Sequence, residues 1–220
     1  MMAQITPRGW MLLAALALAS CGRASGPALP PAIAPANDTT SCYTIKQDPT
    51  NVSATITFYG WPDNSPPGNK IAHGVIHKRA GGDGTYCNPT TFATERANDK
   101  TIPYGIKIYV PFLQQYFIRE DLCAASGPKK GSGSNGCKGL WFDLWIGGDA
   151  KSKAHDVIKC ERELTPNGKV TVILYPKEGM PVQYPGPIYQ DDPPPNGTCY
   201  GKPEGSGYAV SSMRRTILPN

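Results

Sequence analysis

The residues Trp141-Phe142-Asp143-Leu144-Trp145 combine an acid with two indoles at a spacing that suits sugar chemistry. Read as a strand, alternation sends Phe142, Leu144 and Ile146 to one face and Trp141, Asp143 and Trp145 to the other. Sugars bind on aromatic faces, and a carboxyl beside an apolar wall has its pKa pushed towards the proton-donor range. The segment therefore reads as a glycan site with Asp143 as its acid. The plainer alternative is two Trp residues packed under a loop, with Asp143 making a turn contact.

The elements that must hold this segment are mostly strands. Thr55 to Tyr59 alternates, and Ile106, Ile108 and Val110 share a face. Tyr116 to Asp121, Leu140 to Ile146 and Val170 to Tyr175 read the same way. Clusters at Pro62 to Gly68, Gly81 to Gly84 and Gly127 to Gly136 punctuate them as turns. One helix is expected over Asp149 to Leu164, burying Ala154, Val157, Ile158 and Cys160. Many short strands with Gly/Pro turns predict a small barrel over residues 41–175. Residues 176–220 form a Pro/Gly-rich extension, pinned by Cys199 and with a short edge element at Met213 to Leu218.

Residues 1–20 read as a processing signal. Arg8 precedes an apolar run, Trp10 to Ala19, too short to span a bilayer as a mature helix. The run ends Leu18-Ala19-Ser20-Cys21, which resembles a bacterial lipobox. That resemblance implies cleavage before Cys21, lipidation of its sulfur and membrane attachment through a lipid anchor only. Gly22 stands where an inner-membrane retention Asp would stand, which implies an outer-membrane lipoprotein facing the periplasm or cell surface. Residues 21–40 read as a Pro/Ala-rich tether. At about 3.1 Å per residue it reaches on the order of 50–60 Å.

Cysteine parity agrees. Of 7 cysteines, removing Cys21 leaves Cys42, Cys87, Cys123, Cys137, Cys160 and Cys199, enough for three disulfides in an oxidising compartment. Cys123 and Cys137 flank a Gly/Ser/Lys loop and suit a staple across it. No Cys-x-x-Cys exists, which argues against zinc, and a fully paired set leaves no catalytic thiol. The net charge of +5 falls to +4 once Arg8 is removed, a mild excess that favours anionic polymers weakly. Without a basic helix or Arg-rich run, nucleic acid is not an expected partner. Lys129, Lys130 and Lys138 read as a solvated run.

Three segments in order resemble a six-stranded double-psi β-barrel. Thr55-Ile-Thr-Phe-Tyr-Gly60 resembles the opening strand of expansins. Ile102-Pro-Tyr-Gly-Ile-Lys-Ile-Tyr-Val-Pro111, followed by Tyr116-Phe-Ile-Arg-Glu-Asp121, is similar to the three-aspartate domain of lytic transglycosylases. Phe142-Asp143-Leu144 resembles the His-Phe-Asp segment of expansins and the last Asp of the three-aspartate domain. Tyr59-Gly-Trp-Pro-Asp-Asn64, Gly84-Thr-Tyr86 and Asp143-Leu-Trp145 also resemble segments shared by a group of secreted proteins, many of them fungal. The likeness spans residues 54–147.

The resemblance implies a mainly β fold: a six-stranded double-psi-like barrel with one short helix and disulfide-stapled extensions. It carries the proton-donor role onto Asp143 and a base role onto Asp63, which follows the first strand. Asp121 becomes a partner or binding carboxylate, and Tyr59, Trp61, Trp141 and Trp145 become sugar-binding aromatics. The chain departs from the pattern at Cys87-Asn88-Pro89, where an Asp-Pro is expected. It departs again at Asp121-Leu122-Cys123, where Asp-Thr-Gly is expected, and at Trp141, the place of the expansin His.

Other constellations carry less. His73 and His77 have the spacing of a helical metal pair, but Gly74 and the β-branched Val75 and Ile76 oppose a helix, so no metal is expected. No Gly-x-Ser-x-Gly elbow exists, and Gly81 to Gly84 lacks the lysine of a phosphate loop. The expectation is an exported bacterial envelope lipoprotein, with no cofactor, that binds a polysaccharide such as peptidoglycan, cellulose or chitin, with glycosidic bond cleavage by an Asp general acid as the enzyme hypothesis. The alternatives are a non-catalytic expansin-like binding module and a structural or protein-interaction module.

Overall fold

The computed structural model describes residues 42–123, 137–191 and 197–201. Six strands close into a barrel: β1 (Thr50–Tyr59), β2 (Thr90–Thr94), β3 (Lys107–Val110), β4 (Gln115–Leu122), β5 (Trp141–Trp145) and β6 (Val170–Leu174). Their order around the barrel is β1-β5-β2-β4-β3-β6. β1 runs parallel to β5 and β2 parallel to β4, while the other neighbours are antiparallel. A mainly β fold with a closed six-stranded barrel, one helix and three disulfides is thus what the sequence predicts and what the chain forms. A two-stranded sheet of β7 (Tyr189–Gln190) and β8 (Thr198–Cys199) stands beside it.

Alternation decides the core. Ala54, Ile56 and Phe58 of β1 face inward with Phe142 and Leu144 of β5, Ile108 and Val110 of β3, and Val172 and Leu174 of β6. Phe92 and Phe142 meet edge to face at 5.3 Å between ring centres. β3 is buried on both faces, because loops cover its outer side.

Two expectations change. β2 carries little hydrophobic alternation (Thr-Thr-Phe-Ala-Thr) and was not expected as a strand, yet it is buried between β4 and β5. The helix is shorter than predicted: α1 spans Ala154–Leu164. Asp149 Oδ1 accepts from the backbone N–H of Lys151 and Ser152, and this local turn competes with helix over 149–152. The buried face is Val157, Cys160, Glu161 and Leu164; Ala154 is exposed and Ile158 half-buried. Gly60 sets this phase. A Cβ there would lie 2.6 Å from Val157 Cγ1, so only glycine lets α1 come this close to the end of β1.

The disulfides pair Cys42 with Cys87, Cys123 with Cys137, and Cys160 with Cys199. The last ties α1 to β8. Tyr189 donates its N–H to the Ile146 carbonyl, which holds β7 against the end of β5. Cys21, the tether, Lys129, Lys130 and Met213 to Leu218 lie outside the described residues. Among the described residues no helix is long and apolar enough to cross a membrane.

Candidate functional site

Register places the candidate acid. In the parallel β1/β5 pair, Thr55 faces Trp141, Thr57 faces Asp143 and Tyr59 faces Trp145. Across the other edge of β5, Asp143 faces Ala93 of β2, and Ala93 in turn faces Asp121 of β4. Thr57, Asp143, Ala93 and Asp121 therefore occupy matched positions across four neighbouring strands. An irregularity in the β2/β4 ladder, between Phe92 and Ala93, shifts the register that brings Asp121 opposite Ala93.

Asp143 is half-buried. Thr57 donates its hydroxyl to Asp143 Oδ1 at 2.6 Å, and Trp141 Nε1–H donates to Thr57 Oγ1 at 2.8 Å. The sulfurs of Cys123 and Cys137 lie within 4.8 Å of the carboxylate. Both are tied in a disulfide, so they offer polarizable, apolar surroundings and no thiolate for a metal. Burial pushes the Asp143 pKa up to about 7 against the pull of the Thr57 hydroxyl, and the charges of Asp63 and Asp121 add to the rise. Asp143 is thus a carboxyl that still holds its proton near neutrality.

Asp121 is a different kind of acid. Tyr59 Oη–H donates to its Oδ2 at 3.0 Å, and the N–H groups of Ala72 and Leu122 donate to Oδ1 at 2.9 and 2.8 Å. Burial still leaves its pKa raised against these donors. Its neighbour Glu120 points the other way and is fully buried. Glu120 Oε1 accepts three N–H groups, from Val75, Ile76 and His77, and Oε2 meets His77 Nδ1 at 2.6 Å. Burial opposes charge on both partners, but their mutual hydrogen bond leads the terms that win, so His77 is raised and Glu120 lowered. The pair clamps the 72–77 segment over β4, beside Asp121. His77 is therefore a structural residue, and its loop has no helix.

Asp63 follows β1 in a turn, with its Oδ1 accepting from Gly60 N–H at 2.8 Å. Gly60 also brings in Glu161 of α1, which the sequence did not single out: a Cβ on Gly60 would lie 3.2 Å from Glu161 Oε1. Glu161 is 7% exposed. Burial, then the charge of Asp63, pushes its pKa up to about 9. The legible signal was its place in the Val157, Glu161, Leu164 stripe, an acid at a core-facing helical spacing.

The aromatics need correction. Trp145 is 4% and Tyr59 7% exposed, packed edge to face at 5.3 Å with Ala80 and Ala93 around them. Neither offers a free ring face as a sugar platform, because the 60–80 loop covers this side of the barrel. Trp61 and Trp141 are half-buried. A cleft of about 440 Å³ runs along Trp145, Gly81, Gly82, Gly147 and Tyr189. Another of about 300 Å³ is lined by Asn64, Lys70, Ile71 and Asp121. Asp63 and Asp143 line neither of these two clefts.

Fold and site together define a disulfide-stapled, closed six-stranded barrel with Asp143 on β5, Asp121 on β4, Asp63 in the turn after β1 and Glu161 on the one α-helix among the described residues. The chain belongs to the family described as the DDB_G0273701 N-terminal domain, which matches residues 51–200. It is 38% identical over 122 residues to the uncharacterized Dictyostelium discoideum protein DDB_G0273701/DDB_G0273221. That match covers 52% of this chain and 47% of the relative, so the chain spans about half the relative's length. No solved structure matches.

The relative comes from a eukaryote, and this overturns the assignment to a bacterial cell envelope. The Leu18 to Cys21 pattern consists of small and apolar residues common at the end of any export signal, which is why it read as a lipobox.

Proposed function

We propose that this protein binds a polysaccharide and cleaves its glycosidic bonds, with Asp143 as the general acid. The observation that carries the reading is the position of Asp143, half-buried on β5, hydrogen-bonded by Thr57, itself held by the Trp141 indole, and two strands from Asp121, where burial pushes its pKa up to about 7. A glycosidic oxygen needs a proton as its bond to the anomeric carbon breaks, and an acid with a pKa near the working pH supplies it best. Asp143 gives its proton to the leaving oxygen, and Thr57 holds the carboxylate that remains. Asp121, with its donors from Tyr59, Ala72 and Leu122, stays close enough to add negative potential as positive charge develops on the sugar. The half-buried rings of Trp61 and Trp141 stand ready to contact sugar. The resemblance of the Phe142-Asp143-Leu144 segment to barrel enzymes acting on wall polymers supports the same role.

The test is retention of the protein on insoluble peptidoglycan, chitin and cellulose, with released fragments analysed by mass spectrometry. Wild type is expected to release soluble fragments from one of them, and Asp143→Asn to lower release by about 10²-fold or more while still binding. Full cleavage by Asp143→Asn would remove the acid assignment. Retention of both without fragments would leave a binding module, and no retention would end the glycan reading.

A further inference from the structure

We infer that Glu161 is a positioning residue that keeps a proton beside Asp63, so that the two carboxyls work as one unit in which Asp63 is the ionised base. Three observations carry this. Asp63 and Glu161 converge on Gly60, whose N–H donates to Asp63 Oδ1 at 2.8 Å and at which a Cβ would lie 3.2 Å from Glu161 Oε1. They differ in surroundings: Asp63 is exposed and its Oδ1 accepts the Gly60 N–H, whereas Glu161 is 7% exposed and its Oε1 has no hydrogen-bond partner. Finally, the pair is held in place. A Cβ at Gly60 would stand 3.2 Å from Glu161 Oε1, and the disulfide at the adjacent Cys160 fixes the helix turn that carries the glutamate.

Two carboxyls in contact do not both ionise, and the proton stays on the one that is harder to charge. Here that is Glu161, buried and facing the charges of Asp63 and Asp143, with only the exposed Arg162 opposing them. Burial raises Asp63 as well, but the Gly60 N–H and a proton donated by Glu161 oppose that rise, so of the two Asp63 is the one that ionises first. The groups facing the pair are thus Asp143 on β5, Arg162 on α1 and the Gly60 amide at the end of β1.

This inference deepens the glycosidase reading and rests on it for the chemistry. With Asp143 as acid, Asp63 takes one proton from a water molecule as the water oxygen bonds to the anomeric carbon. The bond to the leaving oxygen breaks, and that oxygen takes the Asp143 proton. Solvent then returns a proton to Asp143 and removes one from Asp63. The product is a reducing-end sugar formed by hydrolysis, not an anhydro end.

The test does not need turnover. Carboxyl carbon-13 shifts of the whole protein, followed by NMR from pH 3 to 10, report each acid separately. Glu161 is expected to titrate well above neutrality and Asp63 well below Glu161. Asp63→Asn should lower the Glu161 titration by about one pH unit or more, because a negative neighbour is gone. Glu161→Gln keeps a donor and should leave Asp63 within about half a unit, whereas Glu161→Leu removes the donor and should raise Asp63. Glu161 titrating with ordinary carboxyls, or unmoved by Asp63→Asn, would overturn the inference. If Glu161→Leu fails to fold, Asp63→Asn and Glu161→Gln still decide it. A coupled pair in a protein that releases no fragments from any glycan would count against the proposed activity alone.

Discussion

Thr57 has one hydroxyl and two tasks: it donates to Asp143 and accepts from the Trp141 indole. Thr57→Val keeps the shape and removes both bonds. The carboxylate loses the donor that pulls its pKa down, so Asp143 should titrate above 7, and the same carbon-13 titration would read the rise. Trp141 Nε1–H is left unpaired, and stability should fall by about 1–2 kcal/mol in urea unfolding. A serine at position 57 should restore both. The sign is that of any partner that favours the charged form: taking it away makes the carboxyl hold its proton longer.

At the scale of elements, α1 is an appendage whose position decides the site. Gly60→Ala drives a methyl into Val157 and should push the helix away from β1, costing about 1–3 kcal/mol and lowering the Glu161 titration as water enters. Opening the Cys160–Cys199 bond by serine substitution removes a link across 39 residues of sequence, worth about 4 kcal/mol by chain entropy, read as a lower urea midpoint. The barrel strands with strict alternation, such as Ile106, Ile108 and Val110, were legible because one face had to be apolar. β2 was not, since a strand buried between two others draws its stability from its neighbours and not from its own pattern. Asp143 and Asp63 stood out as acids near tryptophans. Glu161 did not, because its partner lies on another element and nothing in a one-dimensional pattern ties a helix acid to a turn acid. Trp145 and Tyr59 misled for the same reason: the loop that covers them is distant in sequence from Trp145.

For the molecule as a whole, the raised carboxyls set a slope of stability with pH. Asp143 and Glu161 stay protonated in the native state over a range where the unfolded chain has released its protons. Their contribution is full below about pH 4, fades as pH rises to about 7 for Asp143 and continues to fade to about 9 for Glu161. His77, also raised, acts in the same direction, while the lowered Glu120 acts only in the acid range. Urea unfolding between pH 5 and 9 should therefore show stability falling with pH. Glu161→Gln should remove up to about 1.4 kcal/mol per pH unit of that slope.

The closed order β1-β5-β2-β4-β3-β6 also has a consequence for biosynthesis. β1 leaves the ribosome first, yet both its barrel neighbours, β5 and β6, come much later in the chain: Thr55 must wait for Trp141, and Thr50 for Leu174. Until then the Ala54-Thr-Ile-Thr-Phe-Tyr59 segment has both edges open, so a chain stalled before Phe142 would present it to any chaperone that grips extended apolar peptide.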